Sequence, residues 1–334
     1  MRREAIVVAL PEYTLVGTMH TPSGWPDGPR PIGILMLSFG QQPRSWVGDL
    51  GVAVADQVSA AGYPTFRFDM PGLGDSPGEL PVHLEVLWRS IQEGAHEPMA
   101  RALVRELRRR FALPGLVVGG FCGGAVTAAF AIDPNRRDAV GLFMLEPEIG
   151  FTPTGDVRTV HEVDTVASFL ERIDLIKRRL RSPASWRRLL SGRSDLRYWK
   201  GLLDYALARR RASQEGVSLP PDTNRRLLDA LAWCAHRRLP TLVISAGGTA
   251  RRKYYNSYNF QPGQSDPATG LTWLEVENTT HGLLTGGAKR AVPEHIEAWL
   301  RRHFPDVRGG ARSPAPSTGE PGTGIATTSA VPTG

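Results

Sequence analysis

The 334-residue chain predicts an α/β protein: a mostly parallel sheet with helices on both faces and an inserted helical segment. Three observations carry that expectation. Short apolar runs bounded by Gly and Pro alternate with stretches of helical periodicity through residues 1–150. The alternation stops between residues 151 and 236, where helical periodicity persists and strand signals nearly vanish. It resumes over residues 237–305. Strand–helix alternation at this spacing argues for βαβ units, whose crossovers cover both faces of a parallel sheet.

Residues 6–9 and 13–20 read as an opening hairpin. Residues 31–39 form a nearly continuous apolar run, the mark of a strand buried on both faces. Residues 47–61 follow with helical spacing. Then come 65–68 as strand, 83–110 as helix with a break near Pro98, 115–119 as strand, 123–132 as helix and 140–145 as strand. The inserted segment carries helical patterns at 163–180, 184–190, 198–210 and 224–236, read as a lid over the C-terminal edge of the sheet. Residues 241–245 and 271–276 are strands again, and 290–303 a closing helix. Residues 306–334, rich in Gly, Pro, Ser, Thr and Ala, carry too little apolar surface to order themselves. The expected division is core (1–150), lid (151–236), core (237–305) and disordered tail (306–334), with eight strands in one sheet.

Composition narrows the function classes. The only two cysteines, Cys122 and Cys234, give no disulfide framework. The opening MRREAIVVAL has too short an apolar run for a signal peptide. No apolar stretch reaches the roughly 20 residues of a membrane span. A cytoplasmic protein is the expectation. The net charge is +7, and only four of the 40 basic residues are lysine. The arginines are spread widely, most of them on the polar faces of the expected helices, so they read as solvated faces, and no nucleic-acid partner is expected. Nothing in the sequence requires a metal or cofactor.

The sharpest local signal is Gly119-Gly120-Phe121-Cys122-Gly123-Gly124, which follows an apolar strand and opens an alanine-rich helix. It meets the pattern Gly-x-nucleophile-x-Gly with cysteine in the central place. A nucleophile on a tight strand-to-helix turn needs small residues two before and two after it, here Gly120 and Gly124. The helix N-terminus favours thiolate over thiol at Cys122. The free amide of Gly123 can point at a developing oxyanion.

Further segments carry a resemblance. Phe66-Arg67-Phe68-Asp69-Met70-Pro71-Gly72-Leu73-Gly74-Asp75-Ser76-Pro77-Gly78 resembles the segment after the fourth strand of α/β hydrolases, and residues 15–22 are similar to their second-strand opening. Within that superfamily the sequence resembles the exosortase-system-associated hydrolases, through its elbow and through residues 180–196 of the lid. The elbow is also similar to that of dienelactone hydrolases. The resemblance spans residues 5–303. It implies an α/β-hydrolase fold with a helical lid, and a histidine base just after the last strand. His281, in Val276-Glu277-Asn278-Thr279-Thr280-His281-Gly282, matches that position.

The orienting acid departs from the pattern. The superfamily places an aspartate after the strand that ends here at Ser245, but residues 245–249 read Ser-Ala-Gly-Gly-Thr. Three readings stay open: a Cys–His dyad, since a thiolate needs less help than an alkoxide; an acid from the preceding strand end, Glu146 first and Glu148 second; or a chain that has lost hydrolysis. Asp69 and Asp75 are expected to hold the loop after the fourth strand. The second oxyanion donor is expected at Gly40 and Gln41, with Arg44 and Trp46 beside the pocket. Aromatic residues of the insertion (Phe169, Trp186, Tyr198, Trp199, Tyr205, Trp233) read first as the lid's own core and second as walls for a bulky or carrier-bound acyl substrate. The leading expectation is hydrolysis of an ester or thioester through acyl-Cys122. The alternatives are acyl transfer or elimination on the same fold, and a non-catalytic scaffold.

Overall fold

The computed structural model describes residues 1–25, 31–38, 42–151 and 219–305. The expected lid helices between 163 and 210, the resemblance at 180–196, Gly40, Gln41 and the tail lie outside these residues. The elements in chain order are β1 Arg2–Ala9, β2 Thr14–Thr21, β3 Gly33–Leu37, α1 Leu50–Ala60, β4 Thr65–Phe68, α2 Leu84–Glu93, α3 Glu97–Arg110, β5 Leu116–Phe121, α4 Gly123–Ala131 and β6 Ala139–Leu145. After residue 219 come α5 Arg225–His236, β7 Thr241–Ala246, α6 Thr249–Asn256, β8 Ser265–Asp266, β9 Leu271–Val276 and α7 Gly286–His303.

All strands join one sheet in the order β1-β2-β4-β3-β5-β6-β7-β9-β8. The central pairs, β4 with β3 through β7 with β9, are parallel. The β1–β2 hairpin and the edge strand β8 are antiparallel. Among the described residues the sheet has nine strands where eight were expected, the two-residue β8 being one the sequence did not suggest.

The central strands are buried on both sides because helices cover both faces. Alternate residues go to opposite cores, as a period of two requires. On β3, Leu35 and Leu37 enter the core with Met99, Leu103 and Leu107 of α3 and Ala125 of α4. Ile34 and Met36 enter the core with Val54 and Val58 of α1 and Ile296 and Trp299 of α7. The helical stretch at 83–110 is interrupted at Gly94 (φ 88°), a left-handed C-cap. Pro98 does not break it but lies in the first turn of α3, where its missing N–H leaves no bond unmade.

Residues 224–236, expected as lid, form α5, capped by the Asn224 side chain. It packs on α4, with Leu227 and Cys234 in the core and Trp233 against it. Among the described residues, no helix is long and apolar enough to cross a membrane.

Candidate active site

The parallel strands bring four chain segments to one edge, the C-terminal ends of β5, β6, β7 and β9. Ligands of open α/β sheets bind at that edge. Cys122 follows β5 directly, with φ 55° and ψ −115°, a strained conformation for a residue with a side chain. The turn is held from both sides. Cys122 N–H donates to the Leu145 carbonyl at 2.7 Å, and its own carbonyl accepts from Ala125 N at 3.0 Å and Val126 N at 3.2 Å. A Cβ at Gly120 would lie 2.2 Å from the Gly124 carbonyl carbon, so only glycine lets the elbow close.

The thiol is buried, and this reverses one expectation. Burial raises the Cys122 pKa well above the ordinary thiol value, and the negative charge of Glu148 raises it further. Arg251 and the hydrogen bond from the Gly123 amide pull the other way without prevailing. The helix N-terminus acts in the expected direction, but desolvation of the charged form is the larger effect. Desolvation therefore favours the protonated thiol.

Glu146 and Glu148 follow β6. Glu146 takes a left-handed φ of 50°, and its N–H still pairs with the Ile244 carbonyl at 2.9 Å. Its buried carboxylate accepts from the Ala246 amide of β7, from Arg251 Nε at 2.6 Å, and lies 3.1 Å from His281 Nδ1. Burial alone would raise its pKa. The Arg251 charge, the contact with His281 and the Ala246 amide outweigh burial and hold it below the usual carboxylate range. Glu148 Oε1 lies 3.3 Å from both terminal nitrogens of Arg251 and 3.7 Å from His281 Nδ1. Its Oε2 accepts from the Tyr254 hydroxyl at 3.0 Å.

Arg251 and Tyr254 belong to α6, a helix the sequence reading did not contain. Arg251 is 2 % exposed and lies 5.2 Å from the ring centres of both Tyr254 and Tyr255. One buried guanidinium thus serves two buried carboxylates, which would otherwise be too costly to keep charged. Arg251 is an exception to the expectation that most arginines lie on solvated faces. No carboxylate occupies residues 245–249, and a Cβ at Gly247 would meet the Glu277 carboxylate at 2.6 Å.

The Cys122 sulfur, a Glu148 oxygen and a His281 ring nitrogen all lie within 4.8 Å of one another. The His281 ring sits 5.6 Å from that of Phe121, which lies 6.2 Å from that of Trp46. Trp46 is fixed by its indole N–H, which donates to the Leu37 carbonyl at 3.2 Å. Sulfur, imidazole and carboxylate could in principle ligate a cation. The Arg251 charge, bonded to that carboxylate and to the same imidazole, opposes one.

Arg44, in the loop after β3, is tied to the loop after β4. Its backbone N–H donates to Asp69 at 2.6 Å and its guanidinium to Asp75 at 2.7 Å, which is the holding role expected of the two aspartates. Of the expected oxyanion donors Gly123, Gly40 and Gln41, Gly123 alone lies within the described residues, where it opens α4 directly after Cys122.

No family model matches the sequence, and no curated protein matches it. Solved structures do resemble it. DcsB, solved in complex with a substrate analogue, aligns with a TM-score of 0.51 at 14% identity, covering 91% of this chain and 99% of its own. An α/β serine hydrolase without a lid from Xanthomonas campestris aligns at 0.47 and 13% identity, over 91% and 95%. Dienelactone hydrolase from Anabaena variabilis aligns at 0.49 and 13%, over 91% and 98%. The chain has the α/β-hydrolase fold.

Proposed function

We propose that the chain hydrolyses a carboxylic ester or thioester through an acyl-Cys122 intermediate. His281 takes the thiol proton as sulfur attacks the acyl carbon. The tetrahedral oxyanion is held by the Gly123 amide, with Gly40 and Gln41 proposed as the second donor. His281 then protonates the leaving alcohol or thiol, and water releases the acid by the same path in reverse. Glu146 orients the imidazole and steadies its positive charge, as the acid of a triad does, with Glu148 as the alternative.

The observation that carries this reading is the approach of Cys122 sulfur to a His281 ring nitrogen, within 4.8 Å, on a strained turn between strand and helix. Activation on demand fits a thiol that rests protonated. A small-molecule substrate is in keeping with the ligand bound to DcsB.

The test uses p-nitrophenyl esters and acyl-N-acetylcysteamine thioesters. Cys122→Ala should abolish turnover while circular dichroism stays unchanged; full activity in that variant ends the proposal. Turnover in H₂¹⁸O should place one solvent oxygen in the released acid. An unlabelled product carrying a new double bond, or an acyl group passed to another acceptor, would replace hydrolysis with elimination or transfer at the same cysteine.

A further inference from the structure

The nitrogen Nδ1 of His281 has two claimants. Arg251 Nη2 lies 2.8 Å from it and Glu146 Oε2 lies 3.1 Å from it. A guanidinium can only donate and a carboxylate without a proton can only accept. Nδ1 can therefore accept from Arg251 or donate to Glu146, but its one proton position cannot satisfy both.

The distances choose between the two. With a proton on Nδ1, two N–H groups would point at each other across 2.8 Å, an unfavourable contact between a donor and a cation. With Nδ1 bare, the same 2.8 Å is a good N–H···N hydrogen bond, and Glu146 keeps its bonds to Ala246 and Arg251. The proton of a neutral ring then resides on Nε2.

We infer that Arg251 is a positioning residue that holds resting His281 in its Nε2–H tautomer, so that the ring becomes a base only when Nδ1 is handed from Arg251 to Glu146. The functional part rests on the reading of Cys122 and His281 as the reacting pair. With Nδ1 engaged, Nε2 is the nitrogen left for the thiol, and in the resting state it carries a hydrogen where a base needs a lone pair. The exchange moves one proton between the two ring nitrogens and breaks no other covalent bond. Among the described residues, the titratable and charged groups that bear on the ring are Cys122 from the elbow, Glu146 and Glu148 after β6, and Arg251 from α6, with Tyr254 and Tyr255 around the guanidinium.

The arrangement explains why an arginine lies in a site that already holds a base and its acid. Arg251 offsets the cost of burying the Glu146 charge and also bonds Glu148. It also keeps the imidazole from drawing the proton off Cys122 until something displaces the guanidinium by a fraction of an ångström.

Histidine ¹⁵N spectra of the full chain test this without any substrate. The His281 signals are assigned by their loss in His281→Gln. The free protein at neutral pH should show a protonated Nε2 and an unprotonated Nδ1. In Arg251→Met, which keeps the length and removes the donors, the two nitrogens should exchange these positions or both become protonated. A wild-type spectrum with hydrogen on Nδ1 overturns the inference, and so does an unchanged signature in the variant. If Arg251→Met does not fold, the wild-type spectrum alone decides. Because the readout is not turnover, an inactive protein with the expected spectrum would sink the hydrolase reading and leave the tautomer assignment standing.

Discussion

The Tyr254 hydroxyl donates to Glu148 Oε2 at 3.0 Å and accepts from the backbone amides of Ile149 at 2.7 Å and Gly150 at 3.1 Å. One buried phenol therefore fixes both a carboxylate of the site and the chain that leaves it. Tyr254→Phe would strand two buried amides and remove a donor from Glu148. The expected loss is about 2–4 kcal/mol of stability, read as a lower urea midpoint with an unchanged slope.

Gly120→Ala places a methyl carbon 2.2 Å from the Gly124 carbonyl carbon, a backbone atom that cannot rotate away. The elbow must open. Destabilisation of about 3 kcal/mol or more should accompany loss of activity, measured by thermal unfolding and by p-nitrophenyl ester turnover. A fully active Gly120→Ala protein would mean that the turn has slack.

His20 gives a pH dependence with a definite sign. The ring is fully buried, with Nδ1 2.9 Å from Asp56 Oδ1 and Nε2 accepting from Arg67 Nε at 3.0 Å. Burial and then the Arg67 charge lower its pKa from 6.5 to about 4. Between those values the unfolded chain binds a proton that the folded chain refuses, so stability falls as pH drops from 6.5 towards 4. The contribution is of order 3 kcal/mol over the window. His20→Gln should flatten it, seen as a smaller difference between urea unfolding free energies at pH 4.5 and pH 7.

Both cysteines should be sluggish towards iodoacetamide in the native protein. Burial raises the Cys122 pKa well above its usual value and takes that of Cys234 to about 12, and only the thiolate is alkylated. An activated acyl ester should nonetheless label Cys122 and spare Cys234, because only the former has a base beside it. Peptide mass spectrometry separates the sites, and equal acyl labelling of both would count against catalysis at Cys122.

Glu146→Gln and Glu148→Gln distinguish the two carboxylates. Glu146 lies nearer to His281 Nδ1, at 3.1 Å against 3.7 Å. Removing its charge should lower kcat by about 10²–10⁴-fold, with a smaller change in KM. Glu148→Gln should retain more of kcat. The reverse order would transfer the orienting role to Glu148.

The strand–helix alternation, the mostly parallel sheet and the elbow were legible because they rest on local pattern: apolar runs bounded by Gly and Pro, glycines at a tight turn, and helical spacing that switches on and off. His281 was legible for its place after the last strand. Arg251 was not. In Thr249–Asn256 three charged residues and two glycine neighbours hide a helix whose buried face is Arg251, Tyr254 and Tyr255, a face that no apolar period reveals. An arginine bonded to two buried glutamates looks in sequence like any of the other arginines. Two paired tyrosines just after an exposed-looking Arg-Arg-Lys were the available signal. The resting protonation of Cys122 escaped for a related reason: a helix N-terminus is visible in sequence, while the depth at which it is buried is not.

The bond from the Ala246 amide to the Glu146 carboxylate stitches β6 to β7 with a side chain that also touches His281. A change in the spacing of β6 and β7 at that seam would reach the imidazole through a single side chain.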